Sequence, residues 1–136
     1  MSEYAVPATG VLIQKESGEV FLMKSPKWEN RWVVPGGKVE KGDSVKETVR
    51  KEVREETGLE VSDIEFHSYQ DLGQPEEFSR NTQFVFLNFI CTADTEDVEL
   101  DDREAADYIW KVPGEALEDL ELNESTRKFV EAFSKE

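Results

Sequence analysis

In the run GGKVEKGDSVKETVRKEVREETGL, residues 36–59, a glycine turn passes directly into a strongly charged helix. Near its end that helix crowds Glu52, Glu55 and Glu56. An α-helix advances about 100° per residue, so Glu55 and Glu56 stand about 60° to one side and about 40° to the other of Glu52. All three carboxylates can converge on one patch. Like charges this close repel, by roughly 0.2–0.5 kcal/mol per i,i+4 pair even on a solvated helix. A hard divalent cation relieves that repulsion, because Mg²⁺ takes oxygen ligands: a few carboxylates, waters and substrate phosphates. Taken alone, the glutamates read equally well as the solvated face of an acidic helix. The residues on either side decide between the two.

Those residues define the helix and its register. Ser44-x-x-Glu47 has the form of a capping box, although Asp43 is an equally good cap. Val45, Val49 and Val53 recur every four residues and make the stripe that faces a core. Gly58 follows Thr57 as a C-cap. The glutamate patch lies beside the valine stripe, so it belongs at the edge of the core. Upstream, Pro35-Gly36-Gly37 ends a short strand and lets the backbone approach a ligand closely.

Around this run the chain alternates strands with helices. Tyr4–Gln14 and Val20–Lys24 are apolar and flank Ser17-Gly18, a hairpin signal. Ser25–Arg31 is a polar loop, and Trp32–Val34 a short strand. Val61–Leu72 reads as a strand, Gly73–Asn81 as a loop, and Thr82–Thr92 as the most apolar and central strand. An acidic loop, Asp94–Ala106, precedes a strand at Tyr108–Val112. Pro113–Leu122 holds a short turn or helix, and Asn123–Phe133 is a closing helix with Phe129, Val130 and Phe133 on one side. Strands interspersed with helices predict an α/β sandwich.

Composition narrows the partners. With 136 residues and 38% apolar side chains, the chain can build one core without disulfides. Its only cysteine, Cys91, cannot form an internal bridge and sits in an apolar strand. Both points favour a reducing, cytoplasmic setting. No apolar run reaches the roughly 20 residues of a membrane span, and the N-terminus carries no basic leader. A net charge of −15 argues against a polynucleotide partner, which needs Lys and Arg to neutralise phosphates. A small anionic substrate stays open, because bound metal ions can reverse the local sign.

From Gly37 to Leu59 the run resembles the Nudix box of MutT-like hydrolases, G-x5-E-x7-R-E-U-x-E-E-x-G-U, with U a bulky apolar residue. Gly37, Glu52, Val53, Glu55, Glu56, Gly58 and Leu59 match in register. Two positions depart and keep their charge: Asp43 stands for Glu and Lys51 for Arg. The resemblance implies the Nudix α/β/α sandwich with a mixed β-sheet, as a single domain over residues 1–136. It implies Mg²⁺ or Mn²⁺ held by Glu52, Glu55 and Glu56, with backbone help at Gly37. The implied reaction is water attack on phosphorus in a nucleoside diphosphate linked to another group X. Such a substrate is a nucleoside triphosphate, ADP-ribose or a nucleotide sugar.

A further carboxylate, as ligand or general base, is expected from DDREAADYIW. Glu104 is the candidate there, with Asp101, Asp102 and Asp107 nearby. Asp43 and Lys51 are expected to support the box; Lys51 can pair with Glu47 or Glu55 but lacks the planar fork of Arg. For the substrate, Trp28 can stack on a base, while Arg31 and Arg80 can meet a phosphate. Trp32 reads as core and His67 as structural. Pro75 lies where some ADP-ribose-cleaving relatives carry a proline, and relatives are often homodimers. The rival expectation is a Nudix-fold domain that binds a nucleotide without turning it over. The box departures motivate it, and retention of all three helix glutamates opposes it.

Overall fold

A computed structural model of the chain describes residues 4–71 and 83–135. The strands are β1 (Val6–Gln14), β2 (Val20–Ser25), β3 (Arg31–Val33), β4 (Val61–Asp71), β5 (Phe84–Ala93) and β6 (Asp107–Lys111). The helices are α1 (Val45–Thr57), α2 (Pro113–Asp119) and α3 (Glu124–Ser134), with a single 3₁₀ turn at Pro26–Trp28. The strands form one mixed sheet in the order β3-β2-β1-β5-β4, with β6 paired to β2. β5 runs parallel to β1 from Val6–Phe84 to Gln14–Thr92 and antiparallel to β4, so it lies inside the sheet. The Ser17-Gly18 hairpin forms, closed by the Lys15 N–H donating to the Glu19 carbonyl at 3.0 Å.

Helices cover both faces of the sheet, which makes the α/β/α sandwich. Successive strand side chains point to opposite faces. On β1, Val11 and Ile13 pack with Val49 and Val53 of α1, and Leu12 packs with Phe129 and Val130 of α3. With both faces covered, β1 is buried continuously from Ala8 to Ile13, as strands clothed on both sides are. Each fully buried valine contributes about 1.5–3 kcal/mol of apolar burial.

α1 forms as the sequence signals dictate. Ser44 is the cap: its Oγ accepts from the Glu47 N–H at 3.1 Å, and Glu47 Oε1 accepts from the Ser44 N–H at 3.3 Å. This settles the choice between Asp43 and Ser44. Gly58 closes the helix at φ 75°, a conformation that favours glycine.

Candidate active site

The glycine turn is laid along the edge of β1. β2 pairs with β1 only at Gln14–Val20, which leaves the rest of that edge open. Residues 35–39 fill it. Val11 N–H donates to the Pro35 carbonyl at 2.9 Å, Thr9 N–H to the Gly37 carbonyl at 2.8 Å, and Val39 N–H to the Pro7 carbonyl at 3.0 Å. Thr9 Oγ1 also donates to the Gly37 carbonyl at 3.2 Å and accepts from the Gly37 N–H at 3.3 Å. Gly36 has no space for a side chain, since a Cβ would collide with the Thr9 carbonyl. At Gly37 a Cβ would stand 2.5 Å from the carboxyl carbon of Glu52. The turn and α1 are therefore in contact, with glycine backbone against carboxylate.

Glu52 and Glu56 meet at this contact. Glu56 is only 5% exposed, and its Oε2 accepts from the Gly36 N–H at 3.2 Å. Burial, then the charge of Glu52 and a hydrogen bond with it, push the Glu56 carboxyl up to about 9. Burial also raises half-buried Glu52, and the nearby charges of Glu55 and Glu104 add to the rise. Two acids in so dry a place cannot both ionise, so the pair retains one proton at neutral pH. That shared proton relieves here the repulsion a cation would relieve. Among the described residues, no three His, Cys, Asp or Glu side chains are gathered tightly enough to hold an ion as they stand. Glu55 is exposed on the outer side of the helix, where its charge acts on Lys51 and Glu52.

Glu104 reaches the same place from far along the chain. The acidic loop 94–106 docks on the C-terminal end of α1, whose last carbonyls have no partner within the helix. Glu99 N–H donates to the Thr57 carbonyl at 2.8 Å, and Asp101 N–H to the Glu56 carbonyl at 3.1 Å. A turn follows, closed by Glu104 N–H donating to the Asp101 carbonyl at 2.9 Å, and buried Ala105 anchors it. Glu104 thereby adds its charge to both Glu52 and Glu56. Lys27 Nζ donates to both of its carboxylate oxygens, at 2.9 and 3.0 Å.

The two departures from the box are neighbours. Lys51 lies 2.9 Å from Glu40 and 3.7 Å from Asp43. The expected ion pairs of Lys51 with Glu47 or Glu55 thus give way to pairs with the loop before the helix. The reason is reach: Glu40 and Asp43 stand at the foot of α1, and the flexible Lys51 side chain turns back to them. The hydrogen bond to Glu40 raises the Lys51 amine above its ordinary value.

A cleft of about 570 Å³ opens from Glu56 and Glu104 past Trp28 to Gln70, Phe86 and Ser125. Trp28 lines it, and so do Gly36 and Gly37. Arg31 does not line it; its guanidinium lies 3.4 Å from Glu29 and 3.6 Å from Glu121. Trp32 packs with the α2–α3 core. His67 packs on Phe129 and Phe133, with ring centroids 5.6 and 6.3 Å away. Arg80 and Pro75 lie outside the described residues. Sequence reasoning missed Lys27, Thr9 and Gln70. Lys27 stands beside Trp28 in a polar loop, and its partner Glu104 is 77 positions away. No local pattern marks such a pair.

Known proteins share this fold. The model of the NUDIX domain matches residues 5–133. Nucleoside triphosphatase NudI of Escherichia coli O81 (strain ED1a) is 34% identical over 109 residues, which cover 72% of each chain. Nudix hydrolase 19, chloroplastic, of Arabidopsis thaliana is 34% identical over 101 residues, 74% of this chain but only 23% of that protein. Among solved structures, a MutT protein from Methanosarcina mazei Go1 superposes with a TM-score of 0.77 at 27% identity, covering 99% of this chain and 97% of that one. A MutT NUDIX hydrolase from Burkholderia pseudomallei gives a TM-score of 0.80 at 23% identity, over 96% and 98% of the two chains. The chain belongs to the NUDIX family of hydrolases.

Proposed function

We propose that the chain, acting as one domain, is a metal-dependent pyrophosphohydrolase of small nucleotides, cleaving a nucleoside diphosphate linked to a second group X. The observation that carries this reading is the pair of buried Glu56 and half-buried Glu52 held against the glycine turn. Buried acids that must share a proton are costly to keep, and their oxygens are the donors a hard cation prefers. The donor set therefore fits Mg²⁺ or Mn²⁺. Glu52 and Glu56 would hold the ion, with exposed Glu55 turning in to join them. The Gly36 carbonyl is the better backbone donor: it accepts no hydrogen bond among the described residues, whereas Thr9 occupies the Gly37 carbonyl. When bound, such an ion neutralises phosphate oxygens and acidifies a water.

The protein's own groups do the rest. Glu104 would take the proton of the attacking water on a carboxylate oxygen. Lys27 holds that carboxylate by both oxygens. The Gly36 and Gly37 backbone lets a diphosphate approach without a side chain in the way. Trp28 offers a ring at the cleft wall. Buried Cys91, its thiol pushed up to about 12 by burial, takes no part, and it suits a reducing cytoplasm. Among the described residues, no helix is long and apolar enough to cross a membrane.

The test is hydrolysis of a panel of nucleoside triphosphates, ADP-ribose and nucleotide sugars with Mg²⁺. NudI is named for nucleoside triphosphates, so these come first. Turnover is expected, with losses of about 10²–10⁴-fold in kcat for Glu104→Gln and no detectable rate for Glu55→Gln/Glu56→Gln. Tight binding without turnover, equal in both proteins, would show a binding domain instead.

A further inference from the structure

At the glutamate end of the cleft the β2–β6 ladder brings a cation and an acid together. The ladder ends with Lys24 opposite Asp107. Lys27 follows that rung and Glu104 precedes it, so both emerge at one end of the ladder. The Ala106 N–H, donating to the Lys24 carbonyl at 2.9 Å, extends the contact toward them. Lys27 stands on a fixed base. Pro26 opens its 3₁₀ turn with a φ set by the ring. The carbonyl of buried Ser25 accepts from the Asn30 N–H at 2.9 Å, and Trp28 packs against the core under α1. Glu29 and Asn30 stand at φ 57° and 61°, a left-handed conformation that residues other than glycine hold only where their surroundings impose it.

The Lys27 ammonium is not fully spent on Glu104. A lysine carries three N–H donors and no acceptor. Two are used on the Glu104 oxygens, at 2.9 and 3.0 Å, and no other group among the described residues accepts the third. The side chain is 61% exposed and lines the cleft, so that donor is open to a ligand. Cations are scarce in this place. Among the described residues that line the cleft, only Lys27 and Lys38 carry positive charge. Lys27 also acts on the carboxylate of Asp101. A diphosphate entering beside Glu56 and Glu104 therefore meets acids, and Lys27 is the group that offsets them there. Exposed ion pairs hold loosely, so the ammonium can lean toward a second anion without cost to the fold.

We propose that Lys27 is a substrate-binding residue: its third N–H donates to a non-bridging phosphate oxygen of the substrate while the other two keep hold of Glu104. One ammonium then sets the distance between the Glu104 carboxylate and the phosphate, which makes Lys27 a positioning residue for Glu104 as well. The ligand class is a diphosphate, whose oxygens a lysine meets as a point charge. The proposal rests on the reading that the glutamate end of the cleft takes the phosphates.

The experiment reads binding and rate separately. Methylenediphosphonate, a diphosphate analogue with no bridging oxygen to cleave, is titrated calorimetrically into the full chain with Mg²⁺ present. Wild type is expected to bind it. Lys27→Met, its fold checked by circular dichroism, is expected to bind roughly 10- to 100-fold more weakly, the loss of one charge-assisted hydrogen bond. Lys27→Arg keeps charge and donors and should restore most of the affinity. Lys41→Met removes an equal charge outside the cleft lining and should bind as wild type does. With the nucleotide hydrolysed best, Lys27→Met should both raise KM and lower kcat, since it loses the phosphate contact and the hold on Glu104. No binding by wild type, equal binding by wild type and Lys27→Met, or an equal loss in Lys41→Met overturns the proposal. A lower kcat with KM and phosphonate binding unchanged also overturns it, and leaves Lys27 holding Glu104 alone. Hydrolysis beside undiminished binding in Lys27→Met removes this inference and keeps the enzyme reading. Weakened binding in Lys27→Met without hydrolysis by wild type removes the enzyme reading and keeps the phosphate contact.

Discussion

Glu56 sets the pH behaviour of the metal-free protein. In the unfolded chain a glutamate releases its proton near pH 4.3, whereas folded Glu56 keeps it to about 9 because burial and Glu52 disfavour the charge. Between those values the folded state binds the extra proton, so its stability falls as pH rises, by up to about 1.4 kcal/mol per pH unit. Glu56→Gln removes that dependence, since a neutral amide still offers an oxygen to the Gly36 N–H. Thermal denaturation in EDTA at pH 5, 7 and 9 should show a flatter profile for the variant, and a Tm at pH 9 no lower than that of wild type. An unchanged slope would mean that the proton resides elsewhere. Gly37 separates activity from stability. Its added Cβ meets only the far end of the flexible Glu52 side chain, so Gly37→Ala should leave Tm within a few degrees. The displaced carboxylate should still cost about 10²-fold in kcat/KM, as misplacement by about 1 Å does. A large fall in Tm would show that Glu52 cannot yield.

Among the elements, α1 was legible in the sequence except for the choice of N-cap between Asp43 and Ser44, because stripe and stop are local signals. Ser44, Val49, Val53 and Gly58 each do what their spacing predicts. The site was legible only in part. Glu52 and Glu56 come from one helix turn, and the motif register marked them. Glu104 was named from its place before β6, yet what brings it in, the loop 94–106 bonded to the carbonyls of Glu56 and Thr57, is a tertiary contact without local pattern. The same holds for Lys27 and Gln70. Asp43 and Lys51 were expected to support the box, and the structure sets them 3.7 Å apart at the foot of α1. The planar, two-pronged guanidinium of Arg would hold a carboxylate more firmly than Lys51 does. The double variant Asp43→Glu/Lys51→Arg should therefore raise kcat/KM, by up to about tenfold. Equal or lower values in the double variant would show that the existing pair already orders the helix start.

For the whole molecule, the sandwich places its acidic site where two separate parts of the chain must stay docked. The glycine turn lies on β1, and the loop carrying Glu104 lies on the end of α1. The net charge of −15 opposes this closing of acid upon acid. A cation bound between them stabilises only the folded state, and its effect grows as RT ln(1 + [L]/Kd). It must also displace the proton shared by Glu52 and Glu56, so its affinity rises with pH. Adding Mg²⁺ to the metal-free protein should raise Tm, by roughly 2–8 °C for each ~1 kcal/mol of binding, and the rise should be larger at pH 8 than at pH 5.5. Glu52→Gln/Glu56→Gln should lose most of it, whereas Lys51→Met, outside the pair, should keep it. If the shift is the same at both pH values, or survives in the glutamine variant, the ion binds elsewhere on the acidic surface. The buried pair would then be a proton store and not a metal seat.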